Sequence, residues 1–220
     1  MKTRLIDLSH VIEQGMTTYK GLPGPIITDF LSREDSRKHY SEGTEFSIGK
    51  IELVANTGTY LDSPFHRYAN GSDLSKLSLS VLADLEGVTI DARQRNGRAI
   101  DHHFFERFDL KNKAVLCNTG WDQHWRSEQY FEGNPYLTRD AAQYLVDSQA
   151  SLVGIDSYNI DDTADLARPA HSLLLGAGIP IVEHLCNLDS LPERGYRFFA
   201  VPPMIKDLGT FAVRAFAILD

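Results

Sequence analysis

The stretch N-T-G-T-Y-L-D-S-P-F-H, Asn56 to His66, decides how the rest of the chain is read. Side chains alternate between the faces of an extended strand, so the even-numbered Asn56, Tyr60 and Asp62 share one face. Thr57, Gly58 and Thr59 between them are small enough to let a ligand or a second backbone come close. Pro64 ends regular pairing, and a turn there can bring the His66 ring back over the same face. Spacing alone leaves two readings open: a polar functional cluster, or a strand face whose polar groups satisfy one another.

A second constellation runs from His171 to Pro192, H-S-L-L-L-G-A-G-I-P-I-V-E-H-L-C-N-L-D-S-L-P. A short helix is expected to begin near Pro169, a residue tolerated in a first turn, and to stop at Gly176 or Gly178. His171 then lies in that first turn, where the helix dipole favours neutral imidazole, the form able to ligate a metal. Glu183 ends the apolar run I-P-I-V, and a carboxylate there is costly unless a cation meets it. His184 points to the opposite face in a strand and receives no role.

Around these motifs, β-branched and apolar runs predict strands at Phe46–Leu53, Ala114–Cys117, Leu152–Ile155, Ile179–Val182, Phe198–Val201 and Phe211–Leu219. Thr138 can cap a helix over Arg139–Ser148, with Asp140 in its first turn and Ala141, Ala142, Leu145 and Val146 as its apolar stripe. The charged region from Ile26 to Gly43 reads as a solvated loop or short helix. Several strands and few helices indicate an α/β domain with a mixed, partly parallel sheet. A chain of 220 residues with 42% apolar composition and no internal repeat or linker is expected to form a single domain over residues 1–220.

Acidic residues outnumber basic ones, 30 to 22, and no Lys/Arg-rich block occurs, which argues against nucleic acid and anionic membrane as partners. The start, M-K-T-R-L-I-D-L-S-H, lacks the apolar core of a signal peptide, so a cytoplasmic location is expected. Cys117 and Cys186 lie in apolar runs and read as small buried hydrophobes. His102 and His103 would face different directions on a helix, which argues against joint ligation. Asp156 to Asp165 lacks the spacing of a Ca²⁺ loop and reads as solvated or helix-capping carboxylates. His10 reads as a satisfied structural histidine, and Trp121 as a candidate wall of a substrate pocket.

Taken in order, these motifs resemble the cyclase family of metal-dependent hydrolases, which includes bacterial kynurenine formamidases and isatin hydrolase. The family strand reads H-x-G-T-H-x-D-x-P-x-H, and Asn56 to His66 fall in that register. I-D-L-S-H-V-I-E-Q-G-M near the start, N-T-G-W at Asn118–Trp121, G-I-D-S-Y-N-I-D at Gly154–Asp161 and I-V-E-H-L-C-N-L-D-S-L-P also match the pattern. The resemblance implies a swivelling β/β/α fold, a homodimer or homotetramer, Asp62, His171 and Glu183 as metal ligands, and His66 as acid/base. It also implies aryl substrates, which is the reason for weighing Trp121.

Two ligand imidazoles of the family are replaced here by Asn56 and Tyr60. An amide carbonyl is a weak ligand, and a phenol with a pKa of about 10 must lose its proton to ligate well. One divalent ion, zinc or manganese, is therefore expected where the family holds two, or none at all. The expected activity is hydrolysis of a small amide, lactam or ester. A metal-free relative that only binds a small molecule stays open, as does a lyase or cyclisation enzyme with Tyr60 as general acid.

Overall fold

The computed structural model describes residues 4–219. Its elements follow in the order β1 (Arg4–Asp7), β2 (Ile26–Leu31), α1 (Arg33–Ser36), β3 (Ile48–Glu52), β4 (Tyr60–Asp62), β5 (Leu85–Asp91), β6 (Ala99–Ile100), β7 (Ala114–Asn118) and β8 (Tyr136–Leu137). Then come α2 (Arg139–Asp147), β9 (Leu152–Ile155), α3 (Pro169–Gly176), β10 (Ile181–Glu183), β11 (Tyr196–Phe199), β12 (Thr210–Ala212) and β13 (Phe216–Leu219). Nine strands form one mixed sheet in the order β1-β13-β11-β5-β7-β9-β10-β4-β12. Its middle, β5-β7-β9-β10, is parallel, and both flanks are antiparallel. The expected mixed α/β class is what the chain adopts.

The parallel middle is buried on both faces, which is why A-V-L-C-N and L-V-G-I read as unbroken apolar runs rather than alternating ones. Alternate residues serve different cores. Val115 and Cys117 pack with Val153, Ile155 and the helix residues Ala141, Leu145 and Leu174. Ala114 and Leu116 join Leu61, Leu152, Val182 and Phe198 on the other side. Each fully buried leucine here contributes roughly 1.5–3 kcal/mol relative to exposure.

Thr138 caps α2 by accepting from the Ala141 amide at 3.3 Å, as the sequence predicts. The start and end expected for α3 also hold, but its cap comes from elsewhere. Arg168 precedes it with φ of 47° and gives no side-chain cap. Instead the Asp161 carboxylate accepts from the Ala170 amide at 2.7 Å and the His171 amide at 3.1 Å.

Two expectations need correction, and one strand escapes the sequence pattern. The region from Ile26 to Gly43 holds the expected short helix as α1, but its first part is strand β2, because I-I-T-D-F-L pairs with β3 in a separate two-stranded ribbon. The single strand expected at Phe211–Leu219 is two: β12 pairs with β4 at one edge of the sheet, while β13 pairs with β1 and β11 near the other. A continuous strand cannot reach both. Strand β5, L-E-G-V-T-I-D, was not foreseen because Glu86 and Gly87 interrupt its apolar run; Gly87 is required where the Tyr196 ring crosses it, since a Cβ would meet that ring at 2.0 Å.

Candidate active site

Three adjacent strands carry the site. In the antiparallel registers, Tyr60 lies opposite Glu183 and Asp62 opposite Thr210, so all four side chains share one face of the sheet. Asn56 lies ahead of β4, and Gly58, with φ of 67°, provides the turn between them. After Asp62, a 3₁₀ turn over Pro64–His66 returns the His66 ring, as expected; its centroid is 6.0 Å from that of His171, which α3 supplies. Asn56, Tyr60, His66, His171 and Glu183 border one cavity of about 250 Å³. Sequence reasoning missed its other walls, Tyr19, Leu22, Arg67, Asn159 and Arg168, which come from loops without a periodic signal.

Most polar groups on the cavity floor have a defined hydrogen-bond partner. His171 Nδ1 donates to Asp161 Oδ2 at 2.6 Å, which fixes the tautomer and turns Nε2 inward. That nitrogen is 3.7 Å from Asp62 Oδ2 and 3.8 Å from Glu183 Oε1. Glu183 Oε1 accepts from the Ile160 amide at 2.6 Å, and Oε2 accepts from Tyr60 Oη at 2.7 Å. Asp62 Oδ1 accepts from Thr210 Oγ1, whose oxygen accepts in turn from His66 Nδ1 at 2.8 Å. Asp62 Oδ2 is buried and has no hydrogen-bond partner among the described residues. Asp161, expected only to be solvated or to cap a helix, both caps α3 and orients His171.

Burial and the nearby Glu183 carboxylate push the Tyr60 phenol well above its usual range, so it stays protonated and acts as a donor. Behind it, His184 Nε2 lies 3.3 Å from Tyr60 Oη, and Tyr130 Oη donates to His184 Nδ1 at 2.8 Å. This corrects the reading of His184 as uninvolved. Its φ of 56° breaks the strand alternation and turns the ring under Tyr60, where burial lowers its pKa to about 3 and keeps it neutral.

Trp121 does not border the cavity: its indole Nε1 donates to the Tyr130 carbonyl at 3.0 Å, which holds the ring away from it. His10 is also outside, stacked on Trp125 with centroids 3.9 Å apart. His102 and His103 lie close, with ring centroids 4.0 Å apart on an exposed 3₁₀ turn, rather than diverging as on an α-helix.

The model of the Cyclase family matches residues 6–162. The chain belongs to the Cyclase family. Kynurenine formamidase of Bacillus cereus is 30% identical to this family member over 217 residues, covering 98% of each chain, and that of Bacillus thuringiensis subsp. konkukian is 29% identical over the same length. Among solved structures, isatin hydrolase A from Labrenzia aggregata superposes with a TM-score of 0.83 at 21% identity, covering 99% of this chain and 94% of that one. A potential metal-dependent hydrolase with cyclase activity gives 0.81 at 23%, covering 100% and 99%.

A cation fits this Cyclase-family site on the side chains' own chemistry. The unpartnered, buried Asp62 Oδ2 needs a counter-charge, and His171 Nε2 and Glu183 Oε1 face the same space. Without a metal, a proton takes that place. Burial alone would depress His171, but Glu183, Asp161 and Asp62 outweigh it and raise its pKa to about 10. Burial raises Glu183 to about 7, opposed by His171. Metal must displace the His171 proton, so affinity falls as pH falls below about 10. Zinc titrations should show binding weakening about tenfold per pH unit between 9 and 7.5, and more steeply below pH 7 as Glu183 also gains a proton. Binding independent of pH would place the ion elsewhere.

Proposed function

We propose that this protein is a metal-dependent hydrolase that cleaves a small amide, lactam or ester, with one divalent cation held by Asp62, His171 and Glu183. The buried Asp62 Oδ2 without a partner, facing His171 and Glu183, carries this reading. The kynurenine formamidases among its relatives support the reaction class. Bound there, a divalent ion would polarise the acyl oxygen and make water a better nucleophile near neutral pH. One imidazole and two carboxylates suit zinc or manganese.

The chain's own groups supply the rest. His66, its Nδ1 bonded to Thr210, presents Nε2 to the cavity, where it accepts a proton from the attacking water and returns it to the leaving amine or alkoxide. Tyr60 does not serve as the substrate's acid in this reading, since its proton is committed to Glu183 Oε2; it positions that carboxylate and leaves Oε1 facing His171. Asn56 borders the same cavity as a candidate substrate contact.

Protein purified without chelators should carry about one equivalent of divalent metal per chain, consistent with three protein ligands plus open positions. It should hydrolyse at least one member of a panel of formyl-anilides, lactams and aryl esters, lose that activity on chelation, and regain it with zinc or manganese. Hydrolysis that survives complete metal removal refutes the metal role.

We also infer a homodimer or homotetramer from the β2–β3 ribbon. It exposes Ile26, Ile27, Phe30, Ile48 and Ile51, more apolar surface than an isolated two-stranded ribbon can carry alone. Sedimentation at micromolar concentration as a monomer would refute this. No helix among the described residues is long and apolar enough to cross a membrane. A cytoplasmic location is consistent with the two buried cysteines, both free thiols.

A further inference from the structure

The cavity has two guanidiniums that the chemistry above leaves unused. Arg67 follows the 3₁₀ turn that carries His66, and Arg168 immediately precedes the helix that carries His171. Both border the same cavity as Tyr60, His66, His171 and Glu183.

Neither is spent on a carboxylate among the described residues. Arg67 Nε donates to the Ser172 hydroxyl at 3.3 Å. Arg168 Nη1 donates to the backbone carbonyl of Asp162 at 2.9 Å, while the Asp162 carboxylate is taken by Arg98 at 3.0 Å. A guanidinium has five N–H donors in a planar fork that matches a carboxylate edge, and each side chain here uses one in a neutral contact.

Two further observations favour a ligand over a structural role. Arg168 has φ of 47°, a conformation unfavourable for a residue with a Cβ, yet it makes no side-chain cap to the helix it starts. The protein is acidic overall, with formal net charge −8, and two guanidiniums free of carboxylate partners among the described residues on one cavity, Arg67 lying over the Tyr68 ring at 5.2 Å, offset the resulting repulsion for an anion there. Tyr19 and Leu22 add an aromatic and an apolar wall.

We propose, building on the hydrolase reading, that the substrate carries a carboxylate separate from the bond being cleaved, on a compact apolar or aryl body, and that Arg67 and Arg168 bind it. The charge anchors one end of the molecule at the guanidiniums. The amide or ester to be cut lies at the other end, against His66, His171, Glu183 and Asp62. Because the anchor acts equally before and during the reaction, its effect falls mainly on KM.

The test compares each formamidobenzoate isomer with its methyl ester, so that charge changes while the formanilide is retained. The metal-loaded protein should prefer the acid by about ten- to a hundredfold in kcat/KM, the range for a charge-assisted bond in a partly desolvated site. In Arg67→Gln and Arg168→Gln the ratio of acid to ester should fall toward one, with the loss in KM; Arg168→Lys should restore part of it. Arg67 is exposed, so its variant folds even if Arg168→Gln does not. Equal kcat/KM for acid and ester in the wild type, with both slowed in the variants, would assign the guanidiniums to the carboxylate released on hydrolysis and overturn the proposal. If no formanilide is cleaved, the hydrolase reading fails separately. Calorimetry on metal-free protein then decides the anchor: benzoate should bind measurably more tightly than benzamide, and Arg67→Gln should abolish the difference. Equal binding overturns it.

Discussion

Asp62→Asn will strip the site of its ion while leaving the fold in place. The substitution keeps the side chain's shape and the oxygen that accepts from Thr210, but removes the charge whose second oxygen has no partner. Metal retention after gel filtration should fall below a tenth of an equivalent, because an amide is a weak ligand for zinc or manganese. kcat/KM should fall about a thousandfold, corresponding to about 4 kcal/mol of transition-state stabilisation. The metal-free variant should still melt cooperatively, because the amide keeps the shape and the Thr210 contact, but at a lower temperature than the metal-free parent, since Asp62 is one of the carboxylates that offset the buried His171 imidazolium. Full metal content in Asp62→Asn would remove the basis for the proposed site.

His66→Gln separates proton transfer from metal binding. His66 Nδ1 is engaged by Thr210 and the side chain is one-third exposed, 35%, unlike the buried trio of Asp62, His171 and Glu183. As an acid/base, its loss should cost about a hundred- to ten-thousandfold in kcat with metal content unchanged. Yet Asp62, His66 and His171 also present donor atoms within 4.8 Å of one another, close enough to share an ion. If the metal leaves with the imidazole, His66 is a ligand and another group must move the proton. Thr210→Val should reproduce a milder form of the kcat defect by freeing the His66 ring to rotate, with KM little changed.

Much of this site was legible in one strand and one helix. The alternation of Tyr60 and Asp62, the turn at Pro64 and the placement of His171 two residues after Pro169 are local rules, and the structure follows them. His184 was misread because a left-handed φ after Glu183 ends the alternation, a backbone choice the residue type does not announce. Tyr19, Arg67 and Arg168 were overlooked because a loop side chain gains its role only from what the fold sets beside it. Trp121 drew attention as an aromatic after a strand, but its hydrogen bond to Tyr130 keeps it from the cavity. Likewise, the break within Phe211–Leu219 follows from sheet order, since its two halves serve strands far apart.

The pairing of β4 with β10 and β12 also bears on biosynthesis. Glu183 meets a partner that left the ribosome 123 residues earlier, and Thr210 meets one 148 residues back. Such distant closures come late during vectorial synthesis. A truncated translation product lacking the last of these strands would lose the Thr210 contact that steadies Asp62 and His66, so ion capture by the nascent chain should await the emergence of β12.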